Sequence, residues 1–422
     1  MLAAHSIDVR HGNDAPIVLA NASVTLNPGE LVCVVGPNGS GKSTLVQALA
    51  RTLAPSSGVV VLDQVDLYKD LTAREAAQTI GVVPQTTDVF LDFTVRDTIA
   101  MGRAPWRQSR GMLSPDSADD EAAVERAIQQ MDLPRDLVDR PISHVSGGER
   151  QRAIVARMLA QEAKIMLLDE PTSALDLAAQ SRLLTWLRRQ ACEQQKAVMV
   201  VLHDLNLAAA HADRLVVLHN GAVFADGPPK QVLTADTIAS VYGVHAWVRA
   251  NPLNCRPTVL AIPELAPGFD GSALSGSAVH LLCGSSTGAN LMFQLVRFGA
   301  RVTLSVLCVS DSDADAADSL GLAYTKIGPF ELPTADDWRR DTDLAESADA
   351  AILTQAHFGD AEASMAASAM SFMKSGRPLV VIRGDSHRFE LEAQLAAAGA
   401  PLFVESEDRA IAVLAEVLAG RN

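Results

Sequence analysis

Cysteine is scarce in this chain and follows no pattern. Cys33, Cys192, Cys255, Cys283 and Cys308 are widely spaced, with no C-x-x-C pair among them. That excludes a zinc ribbon or thioredoxin-like redox centre and fits reduced thiols in a cytoplasmic protein. Long apolar runs are also missing. The longest, such as Ala197 to Leu202, fall far below the roughly 20 residues that span a bilayer. Any membrane association is therefore expected to come through a partner. Basic residues are in deficit, 35 Lys and Arg against 50 Asp and Glu, and the net charge of -15 argues against nucleic acid as the main partner. Met1 to Arg10 lack the basic start and apolar stretch of a secretory signal, so none is expected. No internal repeat stands out.

A length of 422 residues suits two domains, each with its own core. Glu30 to Val35 is an apolar run ending at a glycine, and Leu45, Leu49 and Leu53 follow at helical spacing. Further buried strands are expected at Gly58 to Leu62, Thr79 to Val83, Ile165 to Leu168, Ala197 to Leu202 and Arg214 to His219. Between Gln85 and residue 148 the pattern turns helical, with a hydrophilic stretch from Gln108 to Glu125, and reads as a helical insertion. Two short strands end near Ile262. Residues 263–277 are rich in Pro, Gly and Ser and read as a linker. Strands near Val279 to Cys283, Val302 to Val306, Ala350 to Leu353, Leu379 to Ile382 and Leu402 to Val404 then alternate with helices, which points to a doubly wound parallel sheet over 278–422.

Gly36-Pro37-Asn38-Gly39-Ser40-Gly41-Lys42-Ser43-Thr44 matches the phosphate-loop pattern without a mismatch. Its glycines let the backbone curl with N–H groups aimed at phosphates, and the helix that follows adds its positive end. Lys42 is placed for the β- and γ-phosphate oxygens and Ser43 for Mg²⁺. Four apolar residues from Ile165 lead to Asp169 and Glu170 at the carboxyl end of a strand, where α/β sheets bind ligands. About twenty residues before that pair stands Val145-Ser146-Gly147-Gly148-Glu149.

The phosphate loop, the Ser-Gly-Gly turn and the Asp-Glu pair together resemble the ATPase subunits of ABC transporters, over roughly residues 1 to 262. The resemblance implies an ATP hydrolase that uses Mg²⁺. Asp169 then helps Ser43 hold the metal, and Glu170 orients or deprotonates the attacking water. Gln85 senses metal and water and connects to the membrane partner, and His203 bonds the γ-phosphate. The D-loop, Ser173-Ala174-Leu175-Asp176, crosses to a second subunit. Ser146, Gly147 and Gly148 are to reach ATP held by Lys42 of another copy, so two copies sandwich two ATP molecules beneath a permease dimer. That arrangement implies a peripheral position on the cytoplasmic face of the inner membrane and an indirect substrate-binding-protein partner. Three residues depart from the family pattern. His11 stands where an aromatic residue usually stacks on adenine, and Val145 and Glu149 replace the usual Leu and Gln.

His203-Asp204-Leu205-Asn206-Leu207-Ala208, Ala212-Asp213-Arg214, Val241-Tyr242-Gly243-Val244 and Phe93-Thr94-Val95-Arg96-Asp97-Thr98-Ile99 resemble importers of iron-siderophore, haem and cobalamin. The alternative is a soluble ABC ATPase of DNA repair or translation. The long coiled coil of the first type and the doubled cassette of the second are both absent from the sequence. In the second domain Gly284-Ser285-Ser286-Thr287-Gly288 suits either a small anion or a tight turn. Asp311, Asp313 and Asp315 read as a solvated helix start, and His357 and His387 are isolated. No catalytic set assembles there, which leaves a regulatory ligand-sensing module or a fused enzyme.

Overall fold

A computed structural model describes residues 1–420 apart from 13, 86–92, 108–116, 252, 263–268, 270, 330, 356–361 and 384–388. The chain forms two compact units, Met1–Ala261 and Ile262–Asn422. His357 and His387 lie outside the described residues.

The first unit contains strands β1 (Leu2–Arg10), β2 (Ile17–Leu26), β3 (Leu31–Val35), β4 (Ser57–Leu62), β5 (Val65–Asp66), β6 (Ile80–Val83), β7 (Ile165–Asp169), β8 (Ala197–Val201), β9 (Arg214–His219), β10 (Ala222–Gly227), β11 (Ala246–Ala250) and β12 (Pro257–Ala261). The central sheet has the order β10-β9-β3-β8-β7-β6. It is parallel except for β10. Strands β3, β7 and β8 are buried along their whole length, because a parallel sheet covered on both faces has no polar side. Residue parity then separates two cores. Leu31, Cys33 and Val35 pack with Met166, Leu168 and the helical insertion. Val32 and Val34 pack with Leu45, Leu49 and the second sheet.

That second sheet, β2-β1-β4-β5, is antiparallel. It contains the segment expected as one more buried strand, Gly58 to Leu62, which is only half covered. Strands β1 and β2 escaped sequence reading because His5, Ser6 and Asp8 interrupt the apolar pattern, and Ser6 and Asn21 take left-handed backbone at shifts of register. The insertion is helical at Val95–Ala100, Ala118–Gln130 and Arg135–Val138, and the helix Gly147–Ala160 packs against it. Inside it the buried Arg103 pairs with Asp120 at 2.7 Å and with Glu162 at 2.8 Å.

The second unit has β13 (Ala278–Leu282), β14 (Arg301–Cys308), β15 (Ala323–Ile327), β16 (Ala350–Leu353), β17 (Leu379–Ile382) and β18 (Leu402–Val404). They form one parallel sheet in the order β15-β14-β13-β16-β17-β18. Counted within the unit this is 3-2-1-4-5-6, the doubly wound dinucleotide-fold order. Strand β15 and the helix Ala335–Glu346 were not expected from sequence, and the helix Ser312–Leu320 was read only as a solvated start at Asp311 to Asp315. Their polar, Asp-rich composition hides the buried stripe that carries Ala316, Ala317 and Ala345. Residues that composition marks as linker pack here: Leu274 is buried, and the Gly276 N–H donates to the Gly299 carbonyl.

Candidate functional site

The phosphate loop leaves the carboxyl end of β3 and enters the helix Lys42–Leu49 through Gly41 in left-handed conformation, with no side chain capping the helix. The first N–H groups of that helix therefore stay available to an anion. Gly36 is obligatory on steric grounds, and Gly41 is favoured by its left-handed backbone. A Cβ at Gly36 would lie 2.1 Å from the Leu218 carbonyl, and one at Gly41 would lie 2.6 Å from the Leu19 side chain. Lys42 is buried and bridges the loop, donating to the carbonyls of Gly36 at 2.9 Å and Pro37 at 2.8 Å. Burial pushes its pKa down, while Glu170 and Asp169 hold it up.

Asn38, Gly39, Gly41, Lys42, Ser43, Thr44, Gln85, Glu170 and His203 line one cleft of about 610 Å³. Glu170 follows β7 with left-handed backbone, φ 51°. Its Oε1 lies 2.6 Å from His203 Nε2, with Glu170 largely buried and His203 half exposed. Beneath them Asp169 is buried, and its Oδ1 has no hydrogen-bond partner. Burial raises its pKa, and the Ser43 hydroxyl and Lys42 draw it back down. A buried, unsatisfied carboxylate oxygen beside a serine hydroxyl suits a hard divalent cation. Ser40 is also buried with its hydroxyl unsatisfied. The His11 Nε2 sits 3.0 Å from the Thr44 hydroxyl, which places the imidazole beside the helix that the phosphate loop opens.

Ser146, Gly148 and Asp176 line a different cleft, of about 760 Å³, that contains none of the phosphate-loop residues. Here Glu149 stands in the first turn of a helix, where an acid is favoured. Its carboxylate accepts from the Ser146 N–H at 2.9 Å and the Ser146 hydroxyl at 2.7 Å, while the Glu149 N–H donates back to the hydroxyl. This reciprocal cap starts the helix Gly147–Ala160. The Ser146 bonds lower the Glu149 pKa. A Cβ added at Gly147 would lie 3.7 Å from the Ala174 side chain, in ordinary van der Waals contact. Asp176 caps the helix Leu177–Gln194 by accepting from the Ala179 N–H at 2.7 Å.

In the second unit the loop Gly284–Gly288 stands at the switch point of the sheet, but its donors are already engaged. Asp311 accepts from the N–H groups of Ser285 and Ser286 at 2.6 and 3.2 Å. Asp313 accepts from Thr287, Gly288 and Ala289 at 3.0 to 3.1 Å. The anion-binding reading of this loop is therefore met from within the chain. Asp313 is also fully buried and not a solvated helix residue, and burial raises its pKa to about 6. No cluster of three or more His, Cys, Asp or Glu suited to a metal occurs among the described residues.

A phosphate loop ahead of a helix, a buried aspartate beside its serine and a carboxylate at the loop's mouth define a nucleotide hydrolase of the phosphate-loop class. A profile for ABC transporters matches residues 19–173, and a profile for the MJ0874 family matches residues 302–415. The cobalamin import ATP-binding protein BtuD of Halobacterium salinarum is 36% identical over 313 residues, 74% of this chain and 76% of the relative. The hemin import ATP-binding protein HmuV of Rhodococcus jostii is 45% identical over 259 residues, 61% of this chain and 85% of the relative. A chain of a metal-chelate type ABC transporter solved in an inward-facing conformation is 26% identical with a TM-score of 0.53, and the match covers 62% of this chain and 98% of that one. The protein belongs to the ATP-binding subunits of ABC transporters, ATPases whose hydrolysis is coupled to transport. No helix among the described residues is long and apolar enough to cross a membrane.

Proposed function

We propose that this chain is the ATP-hydrolysing subunit of an importer for a bulky metal chelate and works as a nucleotide-sandwich dimer beneath a permease dimer on the cytoplasmic face of the membrane. The observation that carries the dimer is the separation of the two clefts: Lys42 opens on one and Ser146 with Gly148 on the other. A signature turn that faces away from its own phosphate loop needs a second copy's nucleotide. In each half-site the Gly36 to Thr44 loop and Lys42 bind the phosphates, Asp169, Ser43 and Gln85 hold Mg²⁺, and the partner's Ser-Gly-Gly turn closes the far side, with Asp176 at the crossing. The metal, when bound, neutralises charge on the β- and γ-phosphates. Glu170 is placed to take the proton of the attacking water, and His203, bonded to it, steadies that carboxylate and reaches the γ-phosphate. His11 sits at the nucleotide side of the cleft, where its ring can stack on the base.

Among chelates, the corrinoid class has the strongest support. The cobalamin import relative aligns over 313 residues, more than the 261 of the first unit, so the likeness runs into the second unit. The hemin import relative's 259 aligned residues correspond in extent to the first unit alone. We assign the second unit a regulatory role, because the described part of its switch-point loop is filled by its own carboxylates and holds no reactive set. Uptake of radiolabelled cobalamin, haem and ferric siderophore in cells lacking this chain tests the cargo. Selective loss of cobalamin uptake is expected, and unchanged uptake of all three would overturn the importer reading.

A further inference from the structure

Asn206 belongs to the run His203 to Ala208, yet the nucleotide chemistry described above makes no use of it. It lies in the first turn of the helix Leu205–His211, just past His203. Asp204 caps that helix, accepting from the N–H groups of Asn206 at 2.8 Å and Leu207 at 2.9 Å. At seven residues the helix is too short to hold its shape alone. Its placement comes from what it touches. Ala208 and Ala209 are buried in the core on one side, and on another the helix packs against β12.

The contact with β12 is directional. A carboxamide carries the same donor and acceptor pair as a peptide group. Asn206 spends both on one residue: its Nδ2 donates to the Val259 carbonyl at 3.0 Å, and its Oδ1 accepts from the Val259 N–H at 2.7 Å. The side chain thus stands in for a further strand along the edge of the two-stranded β11-β12 ribbon. At the far end of the helix Arg256, which immediately precedes β12, donates to the carbonyls of Ala209 and Ala212. Val248 and Val259, opposite one another in the ribbon, rest on the same core as Ala208 and Ala209.

Asn206 is exposed, so water can satisfy the Val259 groups when the amide is removed. The two bonds therefore add little by shielding polar groups, and what they supply is direction. That direction matters one step upstream. The His203 side chain is half exposed and meets Glu170 at 2.6 Å, so packing alone does not hold it and its backbone must. On one side that backbone is fixed by β8 and by the Leu202 N–H, which donates to the Val34 carbonyl at 3.0 Å. On the other it is fixed by the capped helix that the ribbon grips at both ends.

We propose that Asn206 is a positioning residue for ATP hydrolysis: its grip on Val259 sets the start of the helix and so keeps the His203 imidazole against Glu170. Asn206 is not among the residues that line the nucleotide cleft, so it acts through His203. The proposal rests on the role given to His203 above.

The test is steady-state ATPase kinetics of the full chain for Asn206→Ala, Asn206→Gln, His203→Ala and the double variant Asn206→Ala with His203→Ala, beside thermal unfolding of each. Asn206→Ala is expected to lower kcat at least fivefold, with KM for ATP within twofold and the melting temperature nearly unchanged. Asn206→Gln keeps both amide groups on a longer arm and should recover part of that loss. In the double variant the Asn206 change should cost nothing beyond His203→Ala, because the residue it positions is gone. Wild-type kcat in Asn206→Ala overturns the proposal, and so does a full further loss on top of His203→Ala. A melting temperature lowered by several degrees makes the clamp structural, and a raised KM at unchanged kcat makes it part of nucleotide binding; either result also overturns the proposal. Wild-type turnover by His203→Ala would overturn the role of His203 and this inference with it, whereas a defective His203→Ala beside a normal Asn206→Ala sinks the positioning role alone.

Discussion

His203 Nε2 lies 2.6 Å from Glu170 Oε1 at the mouth of the cleft that holds Lys42. The pair joins the end of β8 to the end of β7, neighbouring parallel strands. Glu170 reaches this position through left-handed backbone, a conformation that costs a non-glycine residue on the order of 1 kcal/mol and that function tends to retain. Glu170→Gln keeps the shape and the hydrogen bond but removes the proton acceptor. Phosphate release should fall about 100-fold or more, while ATP binding persists and a closed dimer accumulates on gel filtration. Steady turnover near the wild-type rate would remove Glu170 from the role of base.

His203→Ala should leave the Glu170 side chain in place but free to swing, so turnover should drop while ATP affinity stays within a fewfold. Equilibrium binding of a fluorescent ATP analogue beside steady-state kinetics separates the two. A large loss of affinity with normal turnover per bound ATP would show that His203 serves binding alone.

Much of this cleft was legible in sequence because its chemistry is local. A phosphate loop needs glycines and a lysine at fixed spacing, and a strand end carrying Asp169 and Glu170 announces itself by an apolar run. The doubly wound sheet of the second unit was legible for the same reason, through unbroken strands such as Leu379–Ile382. What escaped depended on distant pairing. Strands β1 and β2 are stabilised across register shifts by partners and by a core that includes Val60 and Leu67. The filling of the Gly284–Gly288 loop by Asp311 and Asp313 needs residues about 25 positions away. An Asp-x-Asp just past the second strand of a doubly wound unit is the signal that would have suggested it.

Glu149 in place of the usual glutamine supplies the same reciprocal cap, so Glu149→Gln should leave stability nearly unchanged. Ser146→Ala removes the hydroxyl that receives the Glu149 N–H and should cost about 1 kcal/mol in denaturant unfolding of the isolated chain. The same variant should abolish ATP-driven dimerisation if, as proposed above, that hydroxyl also reaches the second copy's nucleotide. Dimerisation at wild-type ATP concentrations by Ser146→Ala would break that link.

Because the loop donors of the second unit are engaged by Asp311 and Asp313, the chain should have one class of nucleotide site. In the proposed site Lys42→Ala removes the ammonium that would contact the phosphates. Calorimetric titration of Lys42→Ala with ATP, ADP or NAD should then show no residual binding. A saturable site surviving in that variant would mean that the carboxylates leave the loop when a phosphate arrives.

Asp313 also sets a pH dependence with a definite sign. Its carboxyl has an ordinary pKa of 3.8, raised to about 6 in the fold by burial and by the charge of Asp311, against the pull of its N–H donors. The folded chain thus binds this proton more tightly than the unfolded chain does. The stabilisation is full below about pH 4 and is lost as pH rises through about 6, a change on the order of 3 kcal/mol. Asp313→Asn carries no titrating proton, and its amide NH₂ would oppose one pair of loop donors, for a cost of roughly 1–3 kcal/mol. The stability gap between wild type and Asp313→Asn should therefore be widest near pH 4 and narrow toward pH 7. Carboxyl carbon NMR of Asp313 should titrate near pH 6 in the folded chain. A midpoint below 4, or a gap that widens with rising pH, would mean that the N–H donors outweigh burial and that the loop prefers the charged form.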